Sequence, residues 1–267
     1  MTARFRDLLA AEWMKLWSLR STPWAFAAGA VAALGVNLNA TLADHRNYPD
    51  YPDGIKELFV PIWAMRDAFT LGGAMVFTLA TGSIGALMVV GEYGTGQIRT
   101  TFAAVPARRS VVAAKALVLA AVMLVYGALV AGVSFAATQA VLDDRGVGMA
   151  IGDAGVLRAV AASALLAPVC ALAGFGLGAL LRHTATTIVS LTGVLLLLPA
   201  LMDERDRWGA MFLHALPQGA WKRLTEVGVS PVPVDHPWTA GGAWTVYAAW
   251  AAVAVTVAFV AVGRRDV

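Results

Sequence analysis

The sequence predicts an all-α integral membrane protein with six transmembrane helices, and three observations carry that prediction. First, 59% of the 267 residues are hydrophobic and only 14% charged, against about 25% charged in an ordinary soluble domain. Second, six runs contain no Asp, Glu, Lys or Arg: residues 21–43, 68–91, 116–142, 159–181, 184–202 and 237–263. Each is close to or above the roughly 20 residues needed to cross about 30 Å of hydrocarbon. Third, alternate connecting segments are short and basic, and Lys and Arg resist translocation. Residues 1–20, 92–115, 182–183 and 264–267 hold 11 Lys or Arg and 4 Asp or Glu, and the rest of the chain holds 9 and 13. The net is +7 on one side and −4 on the other. Both termini are therefore expected in the cytosol, with one membrane domain over residues 1–267.

The chain opens with a predicted amphipathic helix over residues 1–20. Phe5, Leu8, Leu9, Trp13, Leu16 and Trp17 recur at helical spacing, while Arg4, Asp7, Lys15 and Ser18 fall elsewhere on the wheel. A helix of this kind lies in the bilayer interface, with Trp13 and Trp17 anchored at headgroup depth. The pattern also fits a cytosolic helix packed on a partner. The charged lead is too long for a signal peptide, and no Ala-x-Ala site ends the apolar run.

The outer segments carry their own patterns. Residues 56–66 hold Leu58, Phe59, Ile62 and Trp63, enough for an interfacial helix. The outer loop 203–236 contains a stretch, 209–221, with no charged residue. It is too short to span and is expected to re-enter or lie on the surface. Residues 230–237, with three prolines, form a stiff extended connector. Within the spans, Gly174 and Gly178 form a Gly-x-x-x-Gly pair that permits close helix packing, and Pro168 is expected to kink the fourth span.

The most informative stretch is 91–115, the loop between the second and third runs. It holds Arg99, Arg108, Arg109 and Lys115 against the single acid Glu92. Gly94 and Gly96 permit a turn, and Thr95 is placed to cap the helix that follows. Residues 97–104 read as two helical turns, and Pro106 ends them. A short helix across the cytosolic face offers a docking surface; a solvated loop that only sets topology fits the same spacing. Gly91 and Gly96 have the glycine spacing of a phosphate-binding loop, but Gln97 and Ile98 stand where Lys and Ser or Thr are needed for phosphate and magnesium. Gly174 to Gly178 echoes a dinucleotide fingerprint inside an apolar run that follows no strand.

The six runs hold no Asp, Glu, His, Lys or Arg, whereas ion-coupled carriers place Asp, Glu, His or Lys at membrane depth. His45, His183, His214 and His236 lie in loops or at span ends without metal-ligand spacing, and the single Cys170 has no partner for a disulfide or a metal. No nucleophile–base pair or carboxylate pair lies within the runs, which disfavours an intramembrane enzyme, and no feature points to nucleic acid. No bound cofactor is expected, and energy is expected from a partner. The excess of 16 Arg over 4 Lys, with abundant Ala and Gly, suggests a bacterial chain from a GC-rich genome.

Two stretches carry a family likeness. Ala11-Glu-Trp-Met-Lys-Leu-Trp-Ser-Leu-Arg-Ser-Thr22 resembles the N-terminal elbow helix of bacterial ABC transporter permeases of the type-2 exporter class. Gly91-Glu-Tyr-Gly-Thr-Gly-Gln-Ile-Arg-Thr-Thr-Phe102, with Val105-Pro106 and Ala113-Ala-Lys115, looks like that family's first cytosolic loop. The resemblance implies a permease in the bacterial plasma membrane, paired with a second permease chain, and a coupling helix in this loop that docks on a separate cytosolic ATPase subunit. ATP is then used by the partner. By the resemblance Glu92 and Arg99 mark the docking region, and the cap Thr95 with Ile98 and Phe102 of the same short helix complete the candidate docking residues. Ile98 and Phe102, four apart on one face, are expected to insert into the partner, with Arg99 supplying charge and Glu92 pairing with a base of its own loop or of the partner. Outside these two stretches the likeness is architectural, so no substrate follows. A membrane anchor that tethers or regulates a soluble ATPase without transporting is the alternative.

Overall fold

A computed structural model describes residues 4–228 and 235–264. Residues 1–3, most of the Pro-rich connector (229–234) and the basic tail from Arg265 lie outside the described residues. Among the described residues the structure is all-helical, and six helices are long and apolar enough to cross a membrane.

The first helix, α1 (Phe5–Ser18), starts where the Arg4 amide donates to the Asp7 carboxylate, 3.3 Å. Only Leu19 and Arg20 separate it from α2 (Ser21–Asn47). The segment that follows departs from the expected interfacial helix. It forms two short helices, α3 (Asp53–Leu58) and α4 (Ala64–Ala68), joined through an extended Val60. Pro61 explains the break, because it lacks an amide and pushes the preceding residue out of helical geometry. Phe59 turns inward, fully buried against Tyr48 and Tyr51, while Leu58 and Trp63 stay exposed.

The second spanning helix, α5 (Leu71–Gly94), is capped by Thr70, whose hydroxyl accepts from the Gly73 amide at 2.9 Å. A short helix α6 (Gln97–Ala104) leads into α7 (Arg108–Asp143), the longest element at 36 residues. Then come α8 (Val156–Leu181), α9 (Thr184–Thr192) and α10 (Leu198–Leu201), the last two made one continuous helix, Thr184–Leu201, by a wider helical turn at Gly193–Leu197. The stretch 209–221 is helical in two pieces, α11 (Arg207–His214) and α12 (Pro217–Thr225). Asp206 caps α11 by accepting from the Trp208 and Gly209 amides. The chain then forms α13 (Ala240–Arg264).

Helix α8 is the pillar of the bundle. Most of its apolar stretch, 78%, is buried inside the protein, against 17% for Thr184–Leu201. It packs on α5, α7 and α13. A β-carbon on Gly85 would overlap the Ala171 carbonyl, and one on Gly174 would overlap the Gly82 carbonyl. The glycines thus serve close packing of α5 on α8 within the chain. Pro168 lies inside α8, which continues through it as one helix.

At one end of the bundle a polar network fastens α2, α5 and α7. The break at Phe69 leaves the Ala68 carbonyl and the Thr70 amide without helical partners. Asn37 donates to Ala68 O (3.1 Å) and Ser134 Oγ (2.9 Å) and accepts from the Thr70 amide (3.2 Å). Buried backbone groups are satisfied in this way rather than left open. α12 is seated at the same end, its Trp221 indole donating to Ser163 Oγ at 3.0 Å.

His214 stacks on Trp238 there, with ring centroids 4.3 Å apart. Burial holds its pKa below the usual 6.5; Glu204 pulls the other way, and His236 and Lys222 add to the lowering. A histidine depressed in the folded state binds its proton less tightly than in the unfolded chain. Its stabilising contribution is therefore full above about pH 6.5 and declines as the pH falls through that value. His214→Asn should flatten the fall of the thermal midpoint between about pH 7 and about pH 5; an unchanged slope would assign the acid sensitivity to another group.

Candidate functional site: the α6 loop and its ion ring

Every residue that the sequence singled out in the 91–115 loop lies at the opposite end of the bundle, around α6. Glu92 is in the last turn of α5, and Gly96 turns the chain in the left-handed region (φ 74°) that glycine adopts without a β-carbon clash. Gly96, not Thr95, occupies the position before α6. The Thr95 hydroxyl instead donates back to the Gly91 carbonyl, 2.9 Å, and closes α5. Residues Gly91 to Gly94 are the end of a helix, so their amides are engaged in it and form no phosphate cradle.

α6 lies against the bundle with Ile98 (5% exposed) and Phe102 (7% exposed) turned inward. This differs from the expectation that both insert into a partner. The apolar stripe of an eight-residue helix at the end of a bundle finds its burial in its own chain, and Arg108 adds a cation–π contact over the Phe102 ring at 5.4 Å. Arg99 is exposed on the free face, with Gln97, Thr100, Ala103 and Ala104 beside it. Trp13 and Trp17 are exposed on α1, their rings 5.8 Å apart, and Trp17 stacks on Phe26 of α2.

Beneath α6 sits a ring of four alternating charges. Glu92 accepts from Lys115 at 2.8 Å and faces Lys15 at 3.1 Å. Glu12 accepts from Lys15 at 2.8 Å and also from Lys115, which closes the ring. Glu12, Glu92 and Lys115 are 2%, 6% and 4% exposed. Lys15 is the rim member and also reaches the Thr101 hydroxyl of α6 at 3.4 Å. Burial works to lower the Lys15 pKa, but its hydrogen bond to Glu12 and the charges of Glu92 and Glu12 outweigh it and hold the group above 10.5. Two acids and two bases leave no net charge, the condition under which buried ions are tolerated.

Glu92 therefore pairs with Lys115 of its own loop and with Lys15 of α1. Sequence reasoning counted Lys15 among the outward charges of α1 and passed over Glu12. The apolar runs stop one residue short of Glu92 and begin one residue after Lys115, but the helices α5 and α7 do not stop there. Asp67, also buried, sits in α4 in the same way. The statement that the runs carry no charge holds for the runs and not for the helices that contain them.

A second contact closes the same end. Arg182 ends α8 with a left-handed backbone (φ 57°), donates to the Ala261 carbonyl of α13 at 3.1 Å and lies over the Tyr93 ring of α5 at 4.7 Å. The ring and Arg182 together gather α1, α5, α7, α8 and α13 around the α6 loop. Set against protein-family models and curated proteins, the chain matches none.

Proposed function

We propose that the chain is the membrane-spanning permease subunit of an ATP-driven transporter of the ABC type, an exporter in a bacterial plasma membrane. A separate cytosolic ATPase subunit docks on α6, and a second permease chain completes the pathway. The observation that carries this reading is the state of α6: a short helix held across the bundle end between two spanning helices, apolar face inward, with Arg99, Gln97 and Thr100 free. Such a helix transmits a push from outside into α5 and α7. The likeness of the 91–115 and 11–22 stretches to type-2 exporter permeases supports the same assignment, as does the basic character of the segments at this end. Gln97 and Ile98 stand where a phosphate-binding loop needs Lys and Ser or Thr, which supports a reading in which ATP chemistry falls to the partner.

The test is to look in the neighbouring reading frames for one carrying Gly-x-x-x-x-Gly-Lys-Ser/Thr, to co-purify its product with this chain, and to reconstitute both in vesicles. Arg99→Glu, on the free face, should abolish the complex and leave the thermal midpoint of the chain unchanged. Complex formation that raises ATP hydrolysis without moving any solute would favour the anchor reading. Undiminished binding by Arg99→Glu would remove α6 as the docking helix.

A further inference from the structure

We infer that the ring Glu12–Lys15–Glu92–Lys115 clamps α1 to the α6 loop as one unit, which makes α1 and the span α2 behind it a second path for force entering at α6. This rests on the permease reading for the source of the force. The clamp itself rests on geometry alone.

The four charges come from three segments. Glu12 and Lys15 belong to α1, Glu92 to the last turn of α5, and Lys115 to the third turn of α7. The last two segments flank α6 in the chain. Each acid touches both bases, so no single contact can open without leaving a buried charge short of a partner. An apolar interface lets helices slide, because one methyl contact replaces another. An alternating ion ring does not, because a shift along α1 brings like charges together. Lys15 then ties the ring to α6 itself through Thr101. The two-residue link between α1 and α2 leaves little slack for absorbing a displacement of α1 before it reaches the first span. A helix resting in the headgroups as a passive anchor needs none of this. Its outward face, with Trp13, Met14 and Trp17 exposed, suffices for that task. Glu12, Lys15, Glu92 and Lys115 are positioning residues in this scheme.

Pulsed electron paramagnetic resonance reads the clamp directly. In a Cys170→Ala background, spin labels go on the exposed positions Met14 of α1 and Thr100 of α6, and in a second pair on Met14 and Val189 of α9, with the whole chain in lipid nanodiscs. The 14–100 pair should give one narrow distance, broadened by Lys115→Met and restored by Lys115→Arg. Lys15→Met, at the rim, gives a milder broadening and serves should Lys115→Met fail to fold. On adding the ATP-binding protein that the neighbouring-frame search and co-purification identify, with a non-hydrolysable ATP analogue, the 14–189 distance should shift while 14–100 holds. Lys15→Met should keep the complex and lose that shift. A narrow 14–100 distance in both folded lysine variants would overturn the clamp whatever the chain's function. An intact clamp with no complex and no shift would instead overturn the permease reading, and with it the role of α1 in force transfer.

Discussion

Lys115→Met should unfold at a far lower temperature than the parent chain, whereas replacing the whole ring at once should not. The single change leaves Glu12 and Glu92 buried, facing one another with only the rim lysine between them. Removing one partner of a buried ion pair typically costs about 3–5 kcal/mol, because the remaining charge stays desolvated and uncompensated. The quadruple variant Glu12→Leu, Lys15→Met, Glu92→Leu and Lys115→Met removes the desolvation cost together with the attraction. Apolar replacement of a complete buried ion cluster is often neutral or stabilising by about 1–4 kcal/mol. Thermal unfolding in a fixed detergent ranks the three chains. A quadruple variant less stable than Lys115→Met would mean that the ring is a net source of stability, contrary to this account.

Gly85→Ala and Gly174→Ala should each split α5 from α8. The added carbon meets a backbone carbonyl, Ala171 in one case and Gly82 in the other, and backbone cannot swing aside as a side chain does. Overpacking a core commonly costs about 1–3 kcal/mol, and the upper end applies here because the pillar helix must move as a body. Gly132→Ala is the control, since nothing lies within 4 Å of its added carbon. The measure is the yield of monodisperse protein and its thermal midpoint. Equal behaviour of the three variants would show that the contact relaxes without loss.

The six spanning helices are legible because hydrocarbon imposes a length and a purity that few soluble sequences meet. The break at Val60 is legible too, from Pro61 alone, once two short helices are allowed where one was expected. The ring is harder to read because its members lie 80 and 23 residues apart, at Glu12, Glu92 and Lys115. One local signal exists: Leu8, Glu12 and Leu16 are spaced by four, so the acid falls in the middle of the buried stripe of α1. A charge on that face requires a buried cation. The inward turn of Ile98 and Phe102 has no such signal, since an apolar face four residues wide can close on its own chain or on a partner equally well. Thr95 fails for a different reason. Gly96 takes the left-handed position, which leaves the threonine at the end of the preceding helix instead of the start of the next.

The length of α7 has a mechanical consequence. Its 36 residues make a rod about 54 Å long at 1.5 Å per residue, well beyond the roughly 30 Å of hydrocarbon it crosses. About a dozen angstroms therefore project past the bilayer at each end if the rod is centred. A tilt of about 5° about its midpoint moves either tip sideways by about 2.4 Å, a shift comparable to the difference between a held and a broken hydrogen bond. One tip lies beside α6. The other lies where Asp144 meets His45 at 3.0 Å, at the far end of the bundle. The rod is a lever: a small rotation about its midpoint, imposed at the tip beside α6, arrives at the Asp144 tip with its amplitude intact and its direction reversed.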